Sequence, residues 1–167
     1  MYTKAMILDY LQKLNIPTQT IEHEPLFTCD QAPEVTASIP AEQCKNLFLK
    51  DSKKRLWLVV ACADTQINLK ELRKTLQAPE LRFAQAELLQ QHLGVLPGSV
   101  TPFGIINDAQ HQVNVIVDQH LFTHKALGFH PLQNDATTVI NPDDLMKFFA
   151  SLGVSAQIID FRSNHIP

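Results

Sequence analysis

Apolar side chains at Ile7, Leu11 and Leu14, flanked by Met6 and Tyr10, recur at helical spacing until Pro17, so the chain opens with an amphipathic helix over 4–15. Residues 18–23 are β-prone and alternate weakly, which predicts a strand ending near His23. Thr28 followed by Gln31 has the spacing of a capping box and starts a short helix that runs into a turn at Ser38-Ile39-Pro40. Two nearly continuous apolar runs, 45–50 and 55–61, are joined by Asp51-Ser52-Lys53-Lys54, the strongest hairpin signal in the chain. Because 56–61 is apolar on successive positions, this strand is expected at the centre of a sheet, covered on both faces.

Asn68 and Glu71 cap a short helix carrying Leu69, Leu72 and Leu76, and Pro79 prevents its extension. A brief strand is expected at 81–83, then a helix over 85–93 that Gly94 terminates. Two glycines and two prolines within 97–104 specify a fixed loop. Ile105-Ile106 is expected to follow as an apolar strand, with Val113, Val115 and Val117 pairing back on 103–106. Residues 127–131 and 136–140 add two short extended segments. Asn141 as N-cap, Pro142 at the first helical position, and Asp143 and Asp144 in the first turn begin a helix bearing Leu145, Phe148, Phe149 and Leu152, which Gly153 ends. Residues 156–159 predict a last strand, and the tail after Arg162 is expected to be loose. Helices and strands alternate irregularly and several strands are joined by tight turns. This pattern predicts an α+β fold, a mixed, mostly antiparallel sheet surrounded by helices. No glycine-rich strand-to-helix turn is present, which removes the Rossmann and P-loop readings.

Composition adds limits. At 167 residues, 45% hydrophobic and 19% charged, the chain suits a single domain spanning 1–167. No apolar run approaches the roughly 18 residues of a membrane span, and the N-terminus enters an amphipathic pattern without a signal-like apolar core, so a cytoplasmic protein is expected. The formal charge of −3 lacks the footprint of a protein gripping long DNA or RNA, while leaving room for one RNA end on a local patch. Cys29, Cys44 and Cys62 match neither a disulfide framework nor a zinc motif and read as free thiols.

The candidate chemistry begins with Lys45, a charge at the mouth of a buried strand. It either snorkels to the surface or meets an anion in a wet cleft. The loop at Gly98, Ser99, Thr101 and Pro102 is either a structural turn or a set of rigid backbone donors for a developing negative charge. A covalent serine is disfavoured, because Pro97 occupies the first glycine of a nucleophile elbow. His120 and His124 have the spacing of a metal pair, but Leu121 stands where a zincin glutamate would, and no third ligand is near in sequence. Two exposed histidines on a linker, and no metal, are expected. His130, between Phe129 and Pro131, is either packed or functional.

Three separated segments decide among these. Lys45-Asn46-Leu47-Phe48-Leu49-Lys50-Asp51, the loop Gly98-Ser99-Val100-Thr101-Pro102-Phe103, and Phe129-His130-Pro131-Leu132-Gln133-Asn134-Asp135-Ala136-Thr137-Thr138 occur in the right order. Together they resemble the free-standing prolyl-tRNA editing proteins, relatives of the prolyl-tRNA synthetase insertion domain and of the YbaK deacylases. The resemblance runs from the first helix to about Gly153. It implies that Lys45 is the essential lysine, that Gly98 to Pro102 is the Gly-x-x-x-Pro loop, and that His130 is the pocket histidine. Catalytic roles are therefore expected for Lys45, Gly98 and His130, and substrate contacts for Ile39, Asn46, Ser99, Thr101, Pro102 and Thr137. It implies no cofactor. The expected partner is the acceptor end of aminoacylated proline tRNA, with prolyl-tRNA synthetase as a further one. The expected reaction is hydrolysis of Ala-tRNA(Pro); the alternatives are a Cys-tRNA(Pro) deacylase of the YbaK type and a non-catalytic tRNA- or synthetase-binding module.

Overall fold

The computed structural model describes residues 1–25 and 38–162. In order, these form α1 (Lys4–Lys13), β1 (Gln19–Glu22), β2 (Glu42–Lys50), β3 (Leu56–Cys62), α2 (Leu69–Leu76), β4 (Arg82–Phe83), α3 (Ala86–Leu93), a 3-10 helix (Pro102–Asn107), β5 (Val113–Asp118), a second 3-10 helix (Gln119–Thr123), β6 (Leu127–Phe129), β7 (Ala136–Ile140), α4 (Pro142–Ser151) and β8 (Gln157–Ile159). The helix expected after Thr28 lies outside the described residues, as does the tail beyond Arg162.

The strands make one mixed sheet in the order β1-β7-β6-β2-β3-β5-β8, with β4 also pairing β2. Four pairings are antiparallel (β1/β7, β6/β7, β2/β3, β2/β4) and three parallel (β2/β6, β3/β5, β5/β8). The predicted mixed α+β sheet is what forms. The hairpin holds as expected: Lys45 stands opposite Ala61, and Asp51 closes the turn by accepting the N–H groups of Lys53 (2.9 Å) and Arg55 (2.8 Å).

β3 is buried at all seven positions. Alternation divides it. Leu56, Leu58, Val60 and Cys62 join the large core with Ile7, Leu11, Leu93, Phe103, Phe148 and Phe149. Trp57 and Val59 join a smaller one with Leu49, Leu72, Ile116 and Phe161. Each large apolar side chain so enclosed contributes about 1.5–3 kcal/mol of transfer free energy. The helix caps follow their sequence signals: Asn68 accepts from Lys70 and Glu71, and Asn141 accepts from Asp143.

One prediction fails. Residues 103–106 form a 3-10 helix, not a strand, and β5 pairs in parallel with β3 and β8. Thr101 caps that helix, its hydroxyl accepting the Phe103 N–H at 3.3 Å, and Pro102 supplies the first helical φ. Gly104 lets α3 lie against it, since a Cβ there would stand 2.9 Å from the Leu93 Cβ. Buried Asp108 then accepts the N–H groups of Gln112 (3.1 Å) and Val113 (2.8 Å), which turns the chain away from a hairpin. A short, fully apolar run carries no period that distinguishes strand from buried helix.

Candidate active site

β2 changes partners along one edge. There it pairs with β6 only at Glu42 and Gln43, and with β4 only at Leu49 and Lys50, while the Ala84 N–H reaches the Phe48 carbonyl at 2.9 Å. Residues 44–47 therefore lie in a gap between two short ladders, with β3 on their other side. Lys45 and Asn46 are in that gap. Both are half-buried, and alternation sends them to opposite faces. Lys45 shares the side of Leu47 and Leu49, and Asn46 shares the side of Cys44 and Phe48, which pack with the large core.

Among the described residues Lys45 makes no hydrogen bond or ion pair. The Asn46 Oδ1 is buried and likewise without a partner there. An orphaned buried acceptor costs about 1–3 kcal/mol, so a donor that reached this oxygen would be favoured. Burial foremost pushes the Cys44 thiol well above the ordinary range, with the neighbouring Cys62 adding to it, which keeps the thiol protonated and weakly nucleophilic.

β6 runs parallel to β2, and His130 stands two residues beyond its last bridge at Gly128, as Lys45 stands two beyond Gln43. His130 thus leaves the ladder at the border of the gap. Its Nδ1 lies 2.9 Å from the Ala136 carbonyl, an acceptor only, so Nδ1 carries the proton and Nε2 keeps a lone pair. Burial foremost holds its pKa below 6.5. The Ala136 hydrogen bond opposes burial, nearby His23 reinforces it, and Asp135 opposes it. The ring meets His23 edge to face at 6.2 Å.

His23 is a residue that sequence reasoning missed as part of the site. It bridges the Glu24 carbonyl (2.8 Å) and the Thr137 hydroxyl (2.8 Å), and Thr138 pairs with Thr20 at 2.9 Å. Nδ1 donates to the Glu24 carbonyl, so the Thr137 hydroxyl donates to Nε2. His23, His130 and Thr137 are therefore one cluster built from β1, the end of β6 and β7. Its only sequence signal was a histidine ending a strand prediction.

The other expected residues are placed as follows. Ile39 is buried in the bend before β2. On β6, a Cβ on Gly128 would meet the Thr137 methyl at 3.0 Å and the Ala41 Cβ at 3.7 Å, so a larger side chain at 128 would crowd β7. Gly98 is exposed with φ +91°, a conformation glycine adopts without strain. Ser99, Thr101 and Pro102 are buried. Two of the loop's groups are already engaged. The Ser99 N–H donates to the Leu96 carbonyl (3.0 Å), and the Thr101 hydroxyl caps the 3-10 helix. Of the backbone donors expected from 98–101, those of Gly98, Val100 and Thr101 remain among the described residues. The loop packs on the Asn46 side of β2 through Val100 and Phe103.

His120 and His124 are half-buried, not exposed. They sit on and just after the second 3-10 helix, with rings edge to face at 5.4 Å. Cys62, remote in sequence, supplies a third potential metal donor beside them.

The profile of the aminoacyl-tRNA editing domain matches residues 23–148. The chain belongs to this family. The prolyl-tRNA editing protein ProX of Acetoanaerobium sticklandii is 34% identical over 161 residues, covering 96% of this chain and 98% of that protein. The prolyl-tRNA synthetase associated domain-containing protein 1 of Danio rerio is 36% identical over 155 residues, covering 92% and 84%. A crystal structure of a candidate trans-editing enzyme for prolyl tRNA synthetase superposes with a TM-score of 0.72 at 18% identity over 96% of this chain and 97% of that one, a likeness of fold. Editing of this kind is hydrolysis of an aminoacyl ester, and this editing-domain protein is accordingly an aminoacyl-tRNA deacylase. Among its described residues no helix is long and apolar enough to cross a membrane.

Proposed function

We propose that this protein acts as one editing domain that removes alanine from mischarged proline tRNA, releasing alanine and free tRNA. The observation that carries the chemistry is an unpaired Lys45 side chain in the β2 gap, with His130, its proton fixed on Nδ1, following the same number of residues after the last β2/β6 bridge. Water adds to the ester carbonyl, the bond to the terminal ribose oxygen breaks, and that oxygen takes a proton. Lys45, an electrostatic anchor, holds the carbonyl oxygen as it becomes negative, a charge worth most in a site shielded from water. The free N–H groups of Gly98, Val100 and Thr101 lie on the Asn46 side of β2 and would serve the part of the substrate that enters there. The Nε2 lone pair of His130 accepts from the attacking water or from the amino group of the acyl moiety. Asn46 Oδ1 takes another donor of the substrate.

Two kinds of support favour alanine of proline tRNA. The names of the relatives above point to prolyl-tRNA, and the segments at 45–51 and 129–138 resemble the branch of the family that removes alanine. The need is physical: a synthetase pocket shaped for proline rejects a smaller amino acid by only about 1–3 kcal/mol per missing methylene. The acceptor stem would run over α2. This helix covers the same side of the sheet from which Lys45 projects, and it carries Lys70, Arg73 and Lys74 exposed. Arg55 suits that role less, being tied to Asp51 at 2.7 Å and stacked 5.2 Å over Trp57.

The deciding experiment compares deacylation of purified Ala-tRNA(Pro) and Cys-tRNA(Pro). Faster loss of alanine is expected. A preference for cysteine overturns the substrate assignment, and tRNA binding without turnover of either ester makes the protein a binding module. Co-purification with prolyl-tRNA synthetase tests the second partner.

A further inference from the structure

We propose that Cys62, His120 and His124, closed by Glu42, form a structural binding site for a zinc-class divalent cation. The donor atoms of Cys62, His120 and His124 all lie within 4.8 Å of one another. Those of Glu42, Cys62 and Asp64 do so as well, so the two groups share the Cys62 sulfur. His124 Nδ1 stands 3.6 Å from a Glu42 carboxylate oxygen, which brings that oxygen to the same locus.

These groups are gathered without satisfying each other. A separation of 3.6 Å is too long for a hydrogen bond, and neither imidazole makes one among the described residues. A tetrahedral ion with donors at about 2.0–2.3 Å holds them roughly 3.5 Å apart, so Cys62, His120 and His124 need only small side-chain movements to close on it, and Glu42 enters from the His124 side. The surroundings are those of a supported site. The carboxylate of Asp118, fully buried, accepts from the Cys62 N–H (3.2 Å), the Thr65 hydroxyl (2.6 Å) and the His120 N–H (3.0 Å), so one group fixes the backbone of two donors. Arg162 pairs with Asp64 at 3.1 Å, which leaves Glu42 as the closing carboxylate.

One thiolate, two imidazoles and one carboxylate match zinc, and not the all-oxygen shells of magnesium or calcium. A dication with one thiolate and one carboxylate is also neutral overall, which suits a partly buried place. Binding exchanges the Cys62 thiol proton for the metal, releasing one proton as the sulfur–metal bond forms. Cys62 stands opposite Cys44, whereas Lys45 stands opposite Ala61, so the cluster and the lysine lie on opposite faces of the hairpin. The ion would clip the start of β2 and the end of β3 to the 3-10 helix after β5, on the face opposite Lys45.

The test uses the reduced, metal-stripped full chain titrated with Co2+ as a spectroscopic stand-in. One Co2+ per chain is expected, with a thiolate-to-cobalt charge-transfer band and tetrahedral d–d bands that Zn2+ displaces and excess Mg2+ does not. Cys62→Ser should lose the charge-transfer band while keeping its circular dichroism, and His124→Ala should weaken binding at least about tenfold. Zn2+ should raise the Tm of the wild-type chain, but not that of the His120→Ala/His124→Ala variant. No charge-transfer band, a band that persists in Cys62→Ser, or a wild-type Tm indifferent to Zn2+ overturns the proposal.

Discussion

β3 buries seven residues from Leu56 to Cys62, all apolar, between two hydrophobic layers, whereas at the other end of the same sheet β7 buries Thr137 and Thr138. The threonines are tolerated because each hydroxyl has a partner, His23 or Thr20, on the neighbouring strand. A strand of the first kind leaves nothing for a substrate to recognise; a strand of the second kind holds polar groups in fixed orientation away from water. Lys45 lies where the two regimes meet, on a strand that belongs to the apolar hairpin at one edge and to the polar end at its start.

Substitutions in the two regions should therefore separate stability from turnover. Leu58→Ala, inside β3, is expected to lower unfolding free energy by about 2–5 kcal/mol in a urea titration, with turnover per folded molecule retained. Lys45→Ala should do the reverse, reducing kcat/KM at least about 100-fold, or about 2.7 kcal/mol, at unchanged Tm. Activity kept within about threefold would remove the anchoring role. His130 gives a pH signature. Because its folded pKa lies below 6.5, the acid limb of the rate profile should fall at a pH lower than that of a free histidine. Stability should follow the same sign. The unfolded chain binds the proton more readily, so stability declines as pH drops below 6.5 and levels off under the folded pKa. This component should vanish in His130→Gln. Thr137→Val, which strips His23 of its hydroxyl partner, should cost about 3- to 10-fold in kcat/KM, roughly 1 kcal/mol. The smallest effect is expected for Lys70→Ala/Arg73→Ala/Lys74→Ala. It should raise KM at physiological salt and flatten the salt dependence with kcat preserved.

Much of this was legible because local rules sufficed. The hairpin of β2 and β3, the Asn68 and Asn141 caps and the stop at Gly94 each need only residues within one or two turns. Lys45, the 98–102 loop and His130 are marked in the sequence by motif segments, while spacing alone leaves their structural readings open. What could not be read depends on distant partners. The parallel seat of β5 is set by Asp108 and by β3, not by its own valine pattern. His23 meets Thr137, and the Cys62 sulfur comes near His120 and His124, on and just after the 3-10 helix that follows β5, only once the chain is folded. The β2 gap was equally hidden, since it exists because β6 and β4 are both short.

That gap also bears on how the protein keeps to itself. A sheet edge with open backbone groups ordinarily invites strands from other molecules and so promotes aggregation. Among the described residues, 44–47 are walled off by β6 before them and by β4 and the Ala84 contact after them, leaving about 13 Å of unpaired edge at a strand's rise of about 3.3 Å per residue. An intruding strand of ordinary length, about 5–6 residues, does not fit between those walls.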